Sequence, residues 1–206
     1  MINIKSEGIL LVLSSPSGAG KTTIAKALCR NDTNTNLSIS CTTRAIRPGE
    51  IDGKDYHFID HDSFLNMVAQ NKFLEYAIIY DCLYGTPRDK ITELVCSGND
   101  VVFDIDWQGA ASLKKQLPNN VVSIFILPPS LEILKKRLES RSSDNVTEID
   151  KRFKEAIHEI SHYVDYDFIV INDNLNEAIE EVHNILKSER LRRKRRIGVS
   201  SFIETM

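Results

Sequence analysis

The stretch Ser14-Ser15-Pro16-Ser17-Gly18-Ala19-Gly20-Lys21-Thr22-Thr23 has the residue types and spacing of a phosphate-binding loop, GxxxxGK[ST]. Small residues from Ser15 to Gly20 let successive backbone N–H groups turn inward on a di- or triphosphate, and the following helix N-terminus adds positive potential. Lys21 would neutralise β/γ oxygens, and the Thr22 hydroxyl would ligate Mg²⁺. Ser15 stands where the motif's first glycine would be; Gly18 and Gly20, nearest the phosphates, are retained. A second chemical signal is Val101-Val102-Phe103-Asp104-Ile105-Asp106, an apolar strand running into two acids. Period two would place Asp104 and Asp106 on one face at the strand's C-terminal end, where α/β sheets bind ligands. A third is Thr43-Arg44-Ala45-Ile46-Arg47, two arginines able to converge on one phosphate, with Tyr56 or Tyr84 as neutral donors. On its own, this third stretch reads equally well as two exposed arginines on a turn.

These groups need a scaffold, and the chain encodes one. Ile9–Leu13, Val101–Phe103, Val121–Leu127 and Phe168–Ile171 are continuous apolar runs, the pattern of buried parallel strands. Helical spacing over Thr22–Arg30, Arg88–Cys96, Gln108–Leu117 and Leu175–Leu186 alternates with them. The phosphate loop thus lies between a strand and a helix, the context its chemistry requires. The expected fold is α/β: a P-loop NTPase-type parallel sheet flanked by helices, with a small mixed α/β insert and a helical lid. Residues 1–36, 88–129 and 165–206 are expected to form the core. Residues 37–87 form the insert, with strands at Ser38–Thr42, Tyr56–Ile59 and Phe73–Ile79 and a helix near Ser63–Asn71. Residues 130–164 form the lid, broken at Ser140–Asn145.

The chain has 206 residues, of which 42% are hydrophobic and 27% charged, and this excludes collagen-like and wholly disordered readings. Its net charge of −3 is uneven. Residues 187–206 hold 7 Lys/Arg against 2 Asp/Glu, and residues 1–186 hold 19 against 27. An acidic body is a poor general nucleic-acid surface, so no specific nucleic-acid partner is expected. Four scattered cysteines form no CxxC pair and read as reduced thiols. The first apolar run is too short for a signal-peptide core or a membrane span, so no membrane association and a cytoplasmic location are expected. His158 and His162, four apart on a helix, lack a third metal ligand and read as surface residues. The basic run Arg190–Arg196 reads as a solvated helix end; Leu191 and Ile197 could instead make it a homo-oligomer contact.

A phosphate loop alone fits GTPases, ATPases and small kinases alike; without an NKxD guanine motif or room for accessory domains, a small kinase leads. At this point SSPSGAGKTT, SISCTTRAIRPGEIDGKDYHF, FLEYAIIYDCLYGTPR, VVFDIDWQGA, FILPPS, KKRLESR and IVIND together resemble the guanylate kinase family, in its bacterial branch. The likeness runs in order from Gly8 to about Leu186. It implies transfer of the γ-phosphoryl of MgATP to GMP, and to dGMP, giving ADP and GDP in purine nucleotide metabolism. It assigns Ser15–Thr23 and Asn172 to ATP, with Asn172 facing the adenine and Thr22 on Mg²⁺. It assigns Ser40, Glu75, Thr86 and Asp106 to the guanine. Arg44, Arg47, Tyr56 and Tyr84 would hold the GMP phosphate, braced by Glu50, and Asp104 would sit near metal and acceptor. Arg137, Arg141 and Arg152 would close over the transferring phosphoryl; Arg141 is followed by Ser142 where many members carry glycine. Two rivals remain from other classes. Guanylate-kinase-like scaffold domains bind peptides, but typically lose the working loop that Gly20 and Lys21 represent. A sugar-phosphate kinase would have no use for Glu75 and Asp106.

Overall fold

A computed structural model describes residues 4–79, 81–141 and 146–206; the side chains of residues 141 and 146–148 lie outside this description. The strands are β1 (Lys5–Ser6), β2 (Leu10–Ser14), β3 (Thr35–Leu37), β4 (Cys41–Thr42), β5 (His57–Phe58), β6 (Phe73–Ile79), β7 (Cys82–Pro87), β8 (Asp100–Asp104), β9 (Val121–Leu127), β10 (Phe168–Ile171) and β11 (Arg196–Ile197). The helices are α1 (Lys21–Asn31), α2 (His61–Ala69), α3 (Arg88–Cys96), α4 (Trp107–Gln116), α5 (Leu131–Arg141), α6 (Val146–Ile160), α7 (Leu175–Arg190) and α8 (Val199–Glu204).

The central sheet is parallel throughout, in the order β10-β9-β2-β8-β3. Its middle strands are buried on both faces, which is why they read as continuous apolar runs. Period two divides them: Leu11, Leu13, Val102, Ile124 and Ile126 pack with Ile24 and Leu28 of α1 and Val182 and Leu186 of α7. Leu10, Val12, Val101 and Phe103 face the other way, against Ile91 of α3 and Leu113 of α4. A second sheet, β5-β4-β7-β6, is mixed: β4 is parallel to β5 and antiparallel to β7, and β7 is antiparallel to β6. Phe64 of α2 and Phe73 of β6 stack in its core.

Several expectations need correction. Phe168–Ile171 is a strand, but it is the edge of the central sheet, and Phe168, Ile169 and Ile171 are exposed. The expected strand Ser38–Thr42 contracts to Cys41–Thr42, and β7 was not anticipated. The expected break at Ser140–Asn145 lies partly outside the described residues.

The basic tail is only in part a solvated helix end: Arg192, Arg193 and Lys194 are exposed, whereas Arg190 and Arg195 turn inward. Arg190 closes α7 by bonding Asp100 (Nε to Oδ2, 2.6 Å), Asp32 (Nη1 to Oδ2, 2.7 Å) and Thr35 (3.1 Å). Asp100 is itself fully buried and its other oxygen accepts from the Ile9 amide at 2.8 Å. Arg195 is 2% exposed and lies 3.5 Å from the Glu189 carboxylate, and β11 returns antiparallel to β1. A charge run hides such pairing because Arg190 finds its acids, Asp32 and Asp100, far away in the sequence. Leu191 and Ile197 remain exposed.

Candidate functional site

The phosphate loop takes its shape from two glycines. Gly18 (φ 91°) and Gly20 (φ 98°) adopt the left-handed backbone that side chains resist, whereas Ser15 is not among the positive-φ residues. The glycine missing from the motif is therefore missing where none is needed. Gly20 is doubly constrained, since a Cβ there would collide with the Asn172 amide nitrogen. That amide donates to the Ala19 carbonyl at 2.7 Å, so buried Asn172 braces the loop from behind.

From the loop, Lys21 reaches across to β8. Its Nζ lies 2.8 Å from Asp104 Oδ1 and donates to the Ile105 carbonyl at 2.8 Å. Asp104 ends β8, but Asp106 does not continue the strand, contrary to the period-two expectation. It caps α4, accepting from the Gly109 amide at 2.9 Å. Both acids still face one cleft, because the chain turns from strand into helix between them.

That cleft, about 540 Å³, opens between the loop and the second sheet. Ser15, Pro16, Ser17, Gly18, Gly20, Lys21 and Thr22 line one side; Ser40, Arg44, Arg47, Tyr56, Glu75 and Tyr84 line the other; Asp104 and Asp106 form the floor, and Arg152 overhangs. Thr23, Arg137 and Asn172 instead line a smaller pocket behind the loop, where Arg137 donates to the Asn172 carbonyl at 3.1 Å. Ala19 is buried. Glu50 and Thr86 act one step back from the cleft, and the Arg141 side chain lies outside the described residues.

On the far wall, Arg44 donates to Glu50 Oε1 at 2.7 Å and sits 5.5 Å from the Tyr56 ring centre. Glu50 Oε2 accepts the Arg47 amide at 2.8 Å. Partial burial raises the Glu50 pKa, but the bonds from Arg44 and Arg47 outweigh it and hold the carboxylate below its usual range. Burial and the Asp104 charge push the Tyr56 phenol up to about 12, so it stays a neutral donor. A guanidinium held by Glu50, a second arginine lining the same wall and a phenol make a seat for an anion.

Deeper, a polar chain runs through apolar packing. Ser40 and Thr86 hydroxyls are 3.1 Å apart, and Thr86 donates to Glu75 Oε1 at 2.6 Å. Glu75 is 4% exposed, and burial pushes its pKa up to about 7 despite the Thr86 bond. Its other oxygen lies where a Cβ on Gly109 would be, at 2.6 Å, so the glycine of the DIDWQG segment makes room for this carboxylate. Gly109 carried no chemical signal of its own in the sequence. Folded protein thus holds a proton on Glu75 that the unfolded chain has lost, at pH between about 4.5 and 7. The stability this gives is present below the lower value and lost as pH rises through the upper. Unfolding free energies from urea melts should fall more between pH 5 and pH 8 for the wild type than for Glu75→Gln, by a difference on the order of 3 kcal/mol. Parallel pH dependences would mean that Glu75 is ionised throughout.

One contact was not legible at all. Glu159 of α6 accepts from the Ser17 amide of the phosphate loop at 3.0 Å. A glutamate on an amphipathic helix gives no sequence sign that it reaches a loop 142 residues away.

An anion-binding loop with its lysine, an arginine-lined anion seat and a buried carboxyl therefore converge on one cleft, an arrangement able to bring two phosphorylated molecules together. A family model described as Guanylate kinase matches residues 7–189. The guanylate kinase of Nitrobacter winogradskyi is 48% identical over 203 residues, covering 98% of this chain and 93% of that protein. That of Zymomonas mobilis is 49% identical over 195 residues, covering 95% and 90%. The crystal structure of guanylate kinase from Anaplasma phagocytophilum superposes with a TM-score of 0.84 at 37% identity, covering 98% of this chain and 96% of that one.

Proposed function

The chain belongs to the guanylate kinase family, and from that premise we infer how its cleft works. It is an enzyme that transfers the γ-phosphoryl group of ATP to GMP, giving ADP and GDP. The observation that carries the residue-level reading is the buried Glu75–Thr86–Ser40 chain opening on the same cleft as the phosphate loop. Such a chain has no use in phosphate binding. It suits a flat ring that presents N–H donors.

In this reading Glu75 and Asp106 accept the N1–H and 2-amino protons of guanine, and the Ser40 and Thr86 hydroxyls donate to O6 or hold Glu75. Adenine lacks those donors, and would leave a buried carboxylate unpaired. Arg44, Arg47, Tyr56 and Tyr84 seat the GMP phosphate, with Glu50 fixing Arg44 so that little motion is lost on binding. The backbone of Ser15–Gly20 and the Lys21 ammonium receive the ATP phosphates. Asp104 holds the Lys21 ammonium in place until the substrate charge arrives, and stands next to the acceptor oxygen. Arg152, overhanging the cleft, adds positive charge as the γ-phosphoryl crosses, and Arg141 is assigned the same part. Arg137 sits against Asn172 in the pocket behind the loop, which suits contact with the rest of the ATP better than with the travelling group.

Magnesium fits the donors at hand. Thr22 is exposed at the start of α1, and Asp104 lines the same cleft, hard oxygens of the kind Mg²⁺ takes alongside phosphates and water. Bound there, it would neutralise β/γ charge. The division into core (1–36, 88–129, 165–206), acceptor insert (37–87) and lid (130–164) follows the same reading. So does use of dGMP, since the residues assigned to GMP address base and phosphate rather than the 2′-hydroxyl. No helix among the described residues is long and apolar enough to cross a membrane.

A coupled ADP-release assay with MgATP tests the assignment against GMP, dGMP, AMP, CMP, UMP and ribose phosphates. Turnover confined to GMP and dGMP is expected. Activity on ribose phosphates alone would replace the acceptor, and silence on every acceptor from folded protein would leave a binding module.

A further inference from the structure

Helix α6 presents Arg152, Glu155 and Glu159 to the cleft, three residues spaced to share one face. The arginine has a part in phosphoryl transfer; two carboxylates facing a site for several phosphates do not obviously belong there. Yet Glu159 is bonded, its Oε2 accepting the Ser17 amide at 3.0 Å. Ser17 lies inside the loop whose inward N–H groups define the phosphate site. One turn away, Glu155 Oε2 is buried and finds no hydrogen-bond partner among the described residues. The end of α6 is fixed over the core by His162, whose ring stacks on Trp107 at 3.7 Å and 7°. This arrangement aims the acidic face at the loop.

We propose that Glu159 is an internal anion that occupies the phosphate loop of the empty enzyme and is displaced when ATP binds, so that ATP competes with it for the Ser17 amide. This rests on the assignment of the loop to ATP. A carboxylate oxygen accepting a backbone N–H of this loop makes the kind of bond that a phosphate oxygen would make there. Lys21 is close enough to stabilise the Glu159 charge, whereas burial, Asp106 and Glu155 oppose it. Burial first, then Asp106 and Glu155, outweigh the Ser17 amide and Lys21 and raise the Glu159 pKa, so the carboxylate sits on Ser17 against net opposition, which suits a group that must leave. Arg152 lies two turns before Glu159 on the same helix, so release of Glu159 frees the segment that carries this arginine. The contact therefore couples occupancy of the loop to the position of Arg152.

Isothermal titration of ADP, of the β,γ-imido analogue of ATP and of GMP into wild type, Glu159→Gln and Glu155→Gln tests this. The glutamine keeps shape and an acceptor for Ser17 N–H but loses the charge. In Glu159→Gln, Kd for both adenine nucleotides should fall about tenfold while that for GMP moves less than threefold; Glu155→Gln should move none of them by more than threefold. Unchanged or weaker adenine-nucleotide binding in Glu159→Gln would overturn the proposal. So would an equal gain for GMP, or an equal gain in Glu155→Gln, because either would reduce the effect to the general charge of the cleft. Wild-type protein that binds GMP but no adenine nucleotide would instead remove the loop assignment itself.

Discussion

Lys21→Ala is expected to lower kcat/KM for GMP phosphorylation by about 10³-fold or more, with KM for GMP little changed. The ammonium is the one positive side chain of the loop that reaches the cleft floor, 2.8 Å from Asp104 and from the Ile105 carbonyl. Charge that gathers on the β/γ oxygens during transfer needs a donor already in place, and water admitted by alanine must reorganise instead. The structural cost should be small. Both partners of the Lys21–Asp104 pair keep 18% of their side chains exposed, so the freed Asp104 carboxylate can draw on solvent. The thermal midpoint should therefore fall by only about 2–4 °C, the equivalent of about 1 kcal/mol in a chain of this size. Steady-state kinetics and a melting curve on the same preparation check both halves. Near-normal turnover would contradict the loop assignment, and a collapsed melting curve would make the kinetic loss one of folding.

How far such a site could be read beforehand depended on what each residue type must do. The loop was legible because its requirements are rigid: positive φ at Gly18 and Gly20, a lysine next, a strand before and a helix after. β2, β8 and β9 were legible because burial on two faces leaves only apolar residues. The same rule misled for Phe168–Ile171, an edge strand whose apolar side chains stay exposed. β7 escaped because Gly85 and Pro87 read as turn residues. Gly85 is there since the rings of Phe64 and Phe73 come within 3.0 Å of where its Cβ would be, and the sequence offers no Asn-Gly pair ahead of β7 to mark a hairpin. Asp106 shares a cleft with Asp104, but by a route the sequence conceals, because a strand's period cannot reveal that the next turn is a helix cap. Glu159 and the burial of Arg195 were beyond reach. Glu159 depends on a loop amide 142 residues away, and the burial of Arg195 on the return of the chain that pairs β11 with β1.

Glu75→Gln should lower kcat/KM for GMP by about 10²–10³-fold and leave the weak activity on AMP nearly unchanged, collapsing the preference for guanine. Glutamine has almost the same shape, and can keep the Thr86 bond through its carbonyl oxygen. Its NH₂, however, would lie on the oxygen next to Gly109 and meet the guanine N–H groups donor to donor. Losing charge-assisted bonds and leaving buried donors unpaired together cost several kcal/mol, which sets the expected range. AMP makes no such bonds, so it has little to lose. Acidity adds a second mark. With its pKa pushed up to about 7 by burial, Glu75 in the empty enzyme is partly protonated near neutrality. Guanine N–H groups need the ionised form, so GMP binding must release a proton as pH falls toward and below 7, and GMP affinity must weaken with it. Calorimetry at pH 6 in two buffers of different ionisation enthalpy reads that proton as a difference: the GMP phosphate, with a second pKa of about 6, releases protons into its arginine seat in both proteins, and the wild type should release about one more than Glu75→Gln. A GMP preference that survived Glu75→Gln, with proton release unchanged, would move guanine reading from Glu75 to Asp106.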